Sequence, residues 1–148
     1  MTRNTDPVVK ALEQALADTY TLSLKTQNYH WNVVGSNFFE LHNLFEEHYT
    51  DGYAAADELA ERIRALGAAA PGGLRAFQEI TKVADAKDAV DAKAMMDDLI
   101  ESHAAVAATL RTGVEVAENA NDPATADMLT GRITAHDKAA WMLRSIRA

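Results

Sequence analysis

The chain has 148 residues, a formal net charge of −8 and no cysteine, a size that suits one domain with a real core and a composition that rules out disulfides and thiolate ligands. Its acidity disfavours nucleic-acid phosphates as partners, and it offers neither an apolar run of about 18 residues to span a membrane nor a secretory h-region in MTRNTDPVVK. A reducing, cytoplasmic setting is expected, and abundant alanine with scarce proline and few β-branched clusters favours helix over strand.

The first helix is expected from Pro7 to Val34, with Asp6 as N-cap and proline at the first helical position. The second spans Phe38 to Leu66, with Ser36 as N-cap, Gly35 closing the preceding segment and Gly67 following the last apolar residue. A small-residue loop, Ala68 to Gly73, leads to a short helix from Leu74 to Lys82. The third long helix is expected from Asp88 to Asn119, its stripe made by Met96, Leu99, Ile100, His103, Val106, Leu110 and Val114 at steps of three and four. The fourth starts at Asp122-Pro123 and runs to Arg147, with Leu129, Ile133, His136, Ala140 and Leu143 inward. Without an internal repeat or linker, residues 1–148 make a single all-α domain. Four helices with one long central crossover, carrying a short extra helix, are a ferritin-like four-helix bundle.

The second helix carries the chemistry. At about 100° per residue, His42, Glu46, Asp57 and Glu61 fall within roughly a 100° sector. Nitrogen with carboxylate oxygen suits iron, manganese or zinc. Yet the pairs His42/Glu46 and Asp57/Glu61 lie roughly 22 Å apart along the axis, so one helix cannot close both ends on one ion. A two-fold axis near Thr50–Gly52 would set Asp57/Glu61 of one copy against His42/Glu46 of another, making two identical sites, with His30 as a further ligand. The alternative is a charged helix face with two structural histidines. No histidine has a glutamate three residues before it, so the Glu-x-x-His motif of an intrachain di-iron bundle is missing.

These residues resemble the Dps family of mini-ferritins, named as DNA-binding proteins of starved cells. The resemblance rests on His30-Trp31-Asn32-Val33-Val34-Gly35, on Phe38 through His42 to Glu46, on Asp57-Glu58-Leu59-Ala60-Glu61-Arg62, and on the twelve-residue step between the two histidines. It extends over nearly the whole chain, through Pro71-Gly72-Gly73 to the DPATADMLTG and WML segments. It implies a homododecamer with ferroxidase centres at two-fold interfaces. His30, His42 and Glu46 would come from one subunit and Asp57 and Glu61 from its partner. Glu46 departs from the aspartate common in the family, keeping the charge with a longer reach. The resemblance further implies ferrous iron as substrate at a di-iron or mononuclear site, hydrogen peroxide as preferred oxidant, and a ferric oxide core in the cavity. It gives Trp31 a role in capturing oxidising equivalents, beside the plainer one of interface packing. It also lines a three-fold iron-entry pore with Asp122 and Asp127, although Asp122 serves equally as a helix cap.

Other residues read more simply. His103 and His136 sit on apolar stripes as hydrogen-bonded core or boundary histidines. His48 points away from the His42 stripe and is expected in solvent. Glu40, Glu47 and Asp51 form a second acidic face, either solvated or turned to a mineral cavity. The family's DNA binding usually relies on a lysine-rich tail. Arg3, Lys10, Arg144 and Arg147 are a poor substitute, so weak or no binding is expected at physiological salt. Two other readings remain: a nucleoid-compacting shell, or a structural shell with inactive metal sites.

Overall fold

Apolar residues recurring at three and four give each long segment one stripe to bury, and four such stripes bury one another in a bundle. The computed structural model describes residues 6–148. It contains α1 (Asp6–Asn32), α2 (Phe38–Ala65), α3 (Leu74–Ile80), α4 (Ala92–Asn119) and α5 (Pro123–Arg147), with no strand among the described residues. The Asp6 side chain, expected as a cap, and Arg3 lie outside the described residues. No helix among them is long and apolar enough to cross a membrane.

The helix ends show where local chemistry decides. Gly67 takes φ +94, and Ala68 and Gly67 donate back to the Ile63 and Arg64 carbonyls, closing α2 with a Schellman turn. Asn121 (φ 56) closes α4 in the same way, through Asp122 N to Ala117 O and Asn121 N to Glu118 O. Asp122 then caps α5 by accepting from Thr125 N, as expected. Several expected boundaries move. The residue before α2 is Asn37 rather than Ser36, and it makes no side-chain cap bond. Helix α4 begins after Asp91, which accepts from Ala94 N, because Ala89 is held at φ 52 and breaks a helix started at Asp88. Helices α1 and α3 stop two residues earlier than expected, at Asn32 and Ile80.

Helices α1 and α2 form one hairpin and α4 and α5 the other; α1 packs on α4, whereas α2 and α5 barely meet. Close approach of α1 and α2 depends on Gly52, where a Cβ would overlap Ser23 Oγ, itself bonded to Thr19 O at 2.7 Å. The crossover is tied to α1 by the buried Asp18 carboxylate. It accepts from Thr81 Oγ1 and Lys82 N, both at 2.8 Å, while Phe77 stacks on Tyr20 at 4.8 Å. The core contains Leu12, Phe45, Leu59, Leu99, Leu110 and Leu143.

Inside it lies a polar knot. Lys25 Nζ reaches Asp98 at 3.2 Å and Ser102 Oγ at 2.8 Å, and Tyr29 donates to Asp98 at 2.6 Å. Lys87 N donates to the Tyr29 oxygen at 2.9 Å. Burial and the Asp98 carboxylate raise the Tyr29 pKa, so the phenol stays protonated and remains a donor.

Candidate metal centre

The α1–α2 turn folds the chain so that His30, in the last turn of α1, lies against His42, one turn into α2. The rings stack at 3.8 Å, only 13° from parallel. Each Nδ1 meets the other residue's backbone carbonyl: His30 Nδ1 to His42 O at 2.6 Å, and His42 Nδ1 to His30 O at 2.8 Å. A carbonyl only accepts, so both Nδ1 atoms carry the proton. With Nδ1 as the donor, the lone pair that a metal would take lies on Nε2 of each ring. The second bond also satisfies a carbonyl in the last turn of α1, where helical partners run out.

Phe38 stacks on the outer face of His42 at 5.1 Å, and Tyr49 meets His30 edge-on at 5.2 Å. Neither was expected as part of the site. Both stand on the His42 face, at i−4 and i+7, and that spacing was the signal available to find them.

Glu46, Asp57 and Glu61 are exposed on the same unbroken α2, whose 28 residues carry all four side chains of the proposed face. Among the described residues, no three His, Cys, Asp or Glu side chains of this single chain gather around one ion position. His42/Glu46 and Asp57/Glu61 lie roughly 22 Å apart along α2, and the single chain does not bring them together. Beside the histidines the surface is apolar: Trp31 is 62% exposed, Val34 72% and Phe39 75%. Beside Asp57 lies a hollow of about 510 Å³ lined by Tyr20, Tyr53, Pro71 and Leu74.

The two pore candidates differ. Asp122 is engaged within its own chain, taking Arg62 at 2.9 Å, Thr125 N at 3.0 Å and Thr125 Oγ1 at 2.6 Å. Burial raises its pKa, but the Thr125 bonds and Arg62 outweigh that and leave it depressed. A depressed carboxylate stabilises the fold above its unfolded pKa and loses that effect as pH falls through the folded value. The stability gap between the wild type and Asp122→Ala should therefore hold from neutrality to about pH 4 and close at lower pH in urea titrations. Asp127 is exposed at the start of α5, available to solvent or a neighbour.

His48 is not in solvent as expected. It is half-buried, with its ring 5.8 Å from His103, and burial lowers its pKa. His103 and His136 do face each other in the core.

The model for the ferritin-like domain matches residues 9–148. DNA protection during starvation protein 2 of Bacillus anthracis is 36% identical, over 93% of this chain and 94% of its own. The crystal structure of Dps from Staphylococcus aureus superposes with a TM-score of 0.94 at 36% identity, covering 100% of this chain and 99% of that one. Dps from Vibrio cholerae O1, described as a member of a broad superfamily of ferritin-like diiron-carboxylate proteins, gives 0.94 at 29% identity, over 100% and 98% of the two chains. The ferritin-like bundle defines the class, and the chain belongs to the Dps family within it.

Proposed function

We propose that two copies pack antiparallel along α2 and make two identical centres that oxidise ferrous iron. Each centre takes His30, His42 and Glu46 from one subunit and Asp57 and Glu61 from the other. The observation that carries this is the reciprocal His30–His42 pairing, which spends both Nδ1 protons on backbone and leaves two Nε2 lone pairs for a cation. The two-fold also sets the exposed Trp31–Phe39 surface opposite the hollow beside Asp57, burying apolar area that one chain leaves in water.

The chemistry follows from the ligands. Neutral imidazoles hold ferrous iron without adding charge. The carboxylates of Glu46, Asp57 and Glu61 are hard oxygen donors that favour the ferric product and so assist electron loss. Two ferrous ions each give one electron to hydrogen peroxide, which with two protons becomes two waters, and no hydroxyl radical leaves. Trp31, next to His30, packs the interface and stands where a stray oxidising equivalent would meet it first. Six such dimers close a hollow shell that keeps the ferric oxide, and Asp127 lines an iron entry. The −8 charge of each chain favours cations over DNA.

Anaerobic ferrous titration of the metal-free protein tests this, followed by one addition of peroxide with ferric absorbance and a spin trap as readouts. Saturable ferrous binding followed by fast, radical-free oxidation is expected. Titration without saturation overturns the reading.

A further inference from the structure

His103 of α4 and His136 of α5 meet Nδ1 to Nδ1 at 2.8 Å in the core, where they are 5% and 4% exposed. Their Nε2 atoms have almost no water-accessible surface and no hydrogen-bond partner among the described residues. The pair forms part of the wall of a cavity of about 320 Å³, at the seam where α2 and α5 barely meet.

Proton counting fixes what this contact tolerates. One proton lies between the two Nδ1 atoms, so with both rings neutral one Nε2 is an N–H and the other a bare lone pair. That lone pair takes the first added proton, and the new N–H finds no acceptor in the closed core. A second proton can go only to the accepting Nδ1. Both Nδ1 atoms then donate, the bond between them is lost, and two like charges face each other. Acid works against this joint in two steps, and both penalties end once the rings reach water.

The surrounding charges do not shelter the added protons. From α2, Asp51 is already paired with Arg132 of α5 at 2.9 Å, Glu47 is exposed, and the His48 ring stands 5.8 Å from His103. From α1, Lys25 is paired with Asp98 of α4, and Lys138 of α5 adds a positive charge at the cavity lining. Burial above all, with positive neighbours after it, pushes His136 down to about 3 and His103 well below its ordinary value. A histidine kept neutral by the fold lends it stability above the unfolded pKa of about 6.5, and that contribution fades as pH falls below it.

We propose that the His103–His136 contact is an acid-sensitive latch, whose protonation parts α5 from α4 and opens the α2/α5 cavity to water. The seam is the place to open, because α2 and α5 barely meet there. Opening hydrates both Nε2 atoms and two other unpaired groups of the lining, Thr19 Oγ1 and Arg132 Nε. The α1–α2 hairpin, which carries His30 and His42, is held by its own packing and stays closed.

Hydrogen exchange of the assembled protein, read by mass spectrometry at pH 7 and pH 5 and corrected for the intrinsic pH dependence of exchange, tests the latch. Exchange in the α4 and α5 segments around His103 and His136 should rise at least about tenfold, and up to roughly several hundredfold if both rings take up their full protons. The α1–α2 hairpin should change by less than about threefold. In His103→Asn with His136→Asn, one amide donates to the other in place of the Nδ1 contact and neither titrates, so the rise around both positions should vanish. If that variant fails to assemble, the distribution of exchange in the wild type decides alone. No rise in the wild type, a rise spread evenly over all helices, or an equal rise in the asparagine variant overturns the proposal.

Discussion

Replacing Lys25 with methionine should cost the fold about 3–5 kcal/mol, because it strands a carboxylate in the core. The Lys25 side chain is 2% exposed and that of Asp98 9%. Without the ammonium, Asp98 keeps only the Tyr29 hydroxyl, and Ser102 Oγ loses its donor. The cost is the penalty of an uncompensated charge; it does not measure what the pair contributes over an apolar core. Lys25→Met with Asp98→Asn should therefore recover more than half of the loss, since the amide oxygen still accepts from Tyr29. Urea unfolding at equal chain concentration measures both variants, because assembly makes stability concentration-dependent. A single-variant loss under about 1 kcal/mol would mean that the pair is solvated.

Asp57→Ala should slow peroxide-driven ferrous oxidation at least about a hundredfold, since it removes a ligand where loss of a mere supporting partner already costs ten- to hundredfold. Asp57 is exposed in the single chain and makes no hydrogen bond there among the described residues, so stability should shift by no more than about 0.5 kcal/mol. His42→Ala should match it in rate for a double reason. It removes one Nε2 ligand, and it removes the donor to His30 O and the ring stacked on His30. His30 keeps its own bond to the backbone carbonyl of residue 42 but loses the ring stacked against it. Stopped-flow ferric absorbance under anaerobic loading measures the rates. A rate within threefold of wild type for Asp57→Ala would remove the acidic pair from the centre.

The helix ends are legible in the local sequence. The α5 start is written in Asp122-Pro123 and the α2 end in Gly67, because capping and positive φ are local chemistry. The α4 start was misplaced for a physical reason: Asp88 and Asp91 are equal as caps in sequence, and only the backbone at Ala89 separates them. The split between His42/Glu46 and Asp57/Glu61 needed only the helical rise. The reciprocal His30–His42 bonds did not follow from spacing, since they depend on how tightly the α1–α2 turn closes. His48 was misjudged because a helical wheel gives direction alone. Its burial depends on α2 and α5 standing apart and leaving a space beside His103. The Lys25–Asp98 contact joins residues 73 apart in sequence, and no local pattern announces it.

The central claim is that each iron centre is shared between two chains, and co-assembly of two disabled variants tests it most directly. His42→Ala and Asp57→Ala chains would be unfolded together, mixed in equal amounts and reassembled. In a mixed dimer one centre has lost both groups, while the other takes an intact His42 from one chain and an intact Asp57 from its partner. Random pairing should then restore about a quarter of wild-type oxidation from two nearly inactive parents. Activity no higher than that of either parent, in shells shown to contain both chains, would contradict a centre shared across the two-fold.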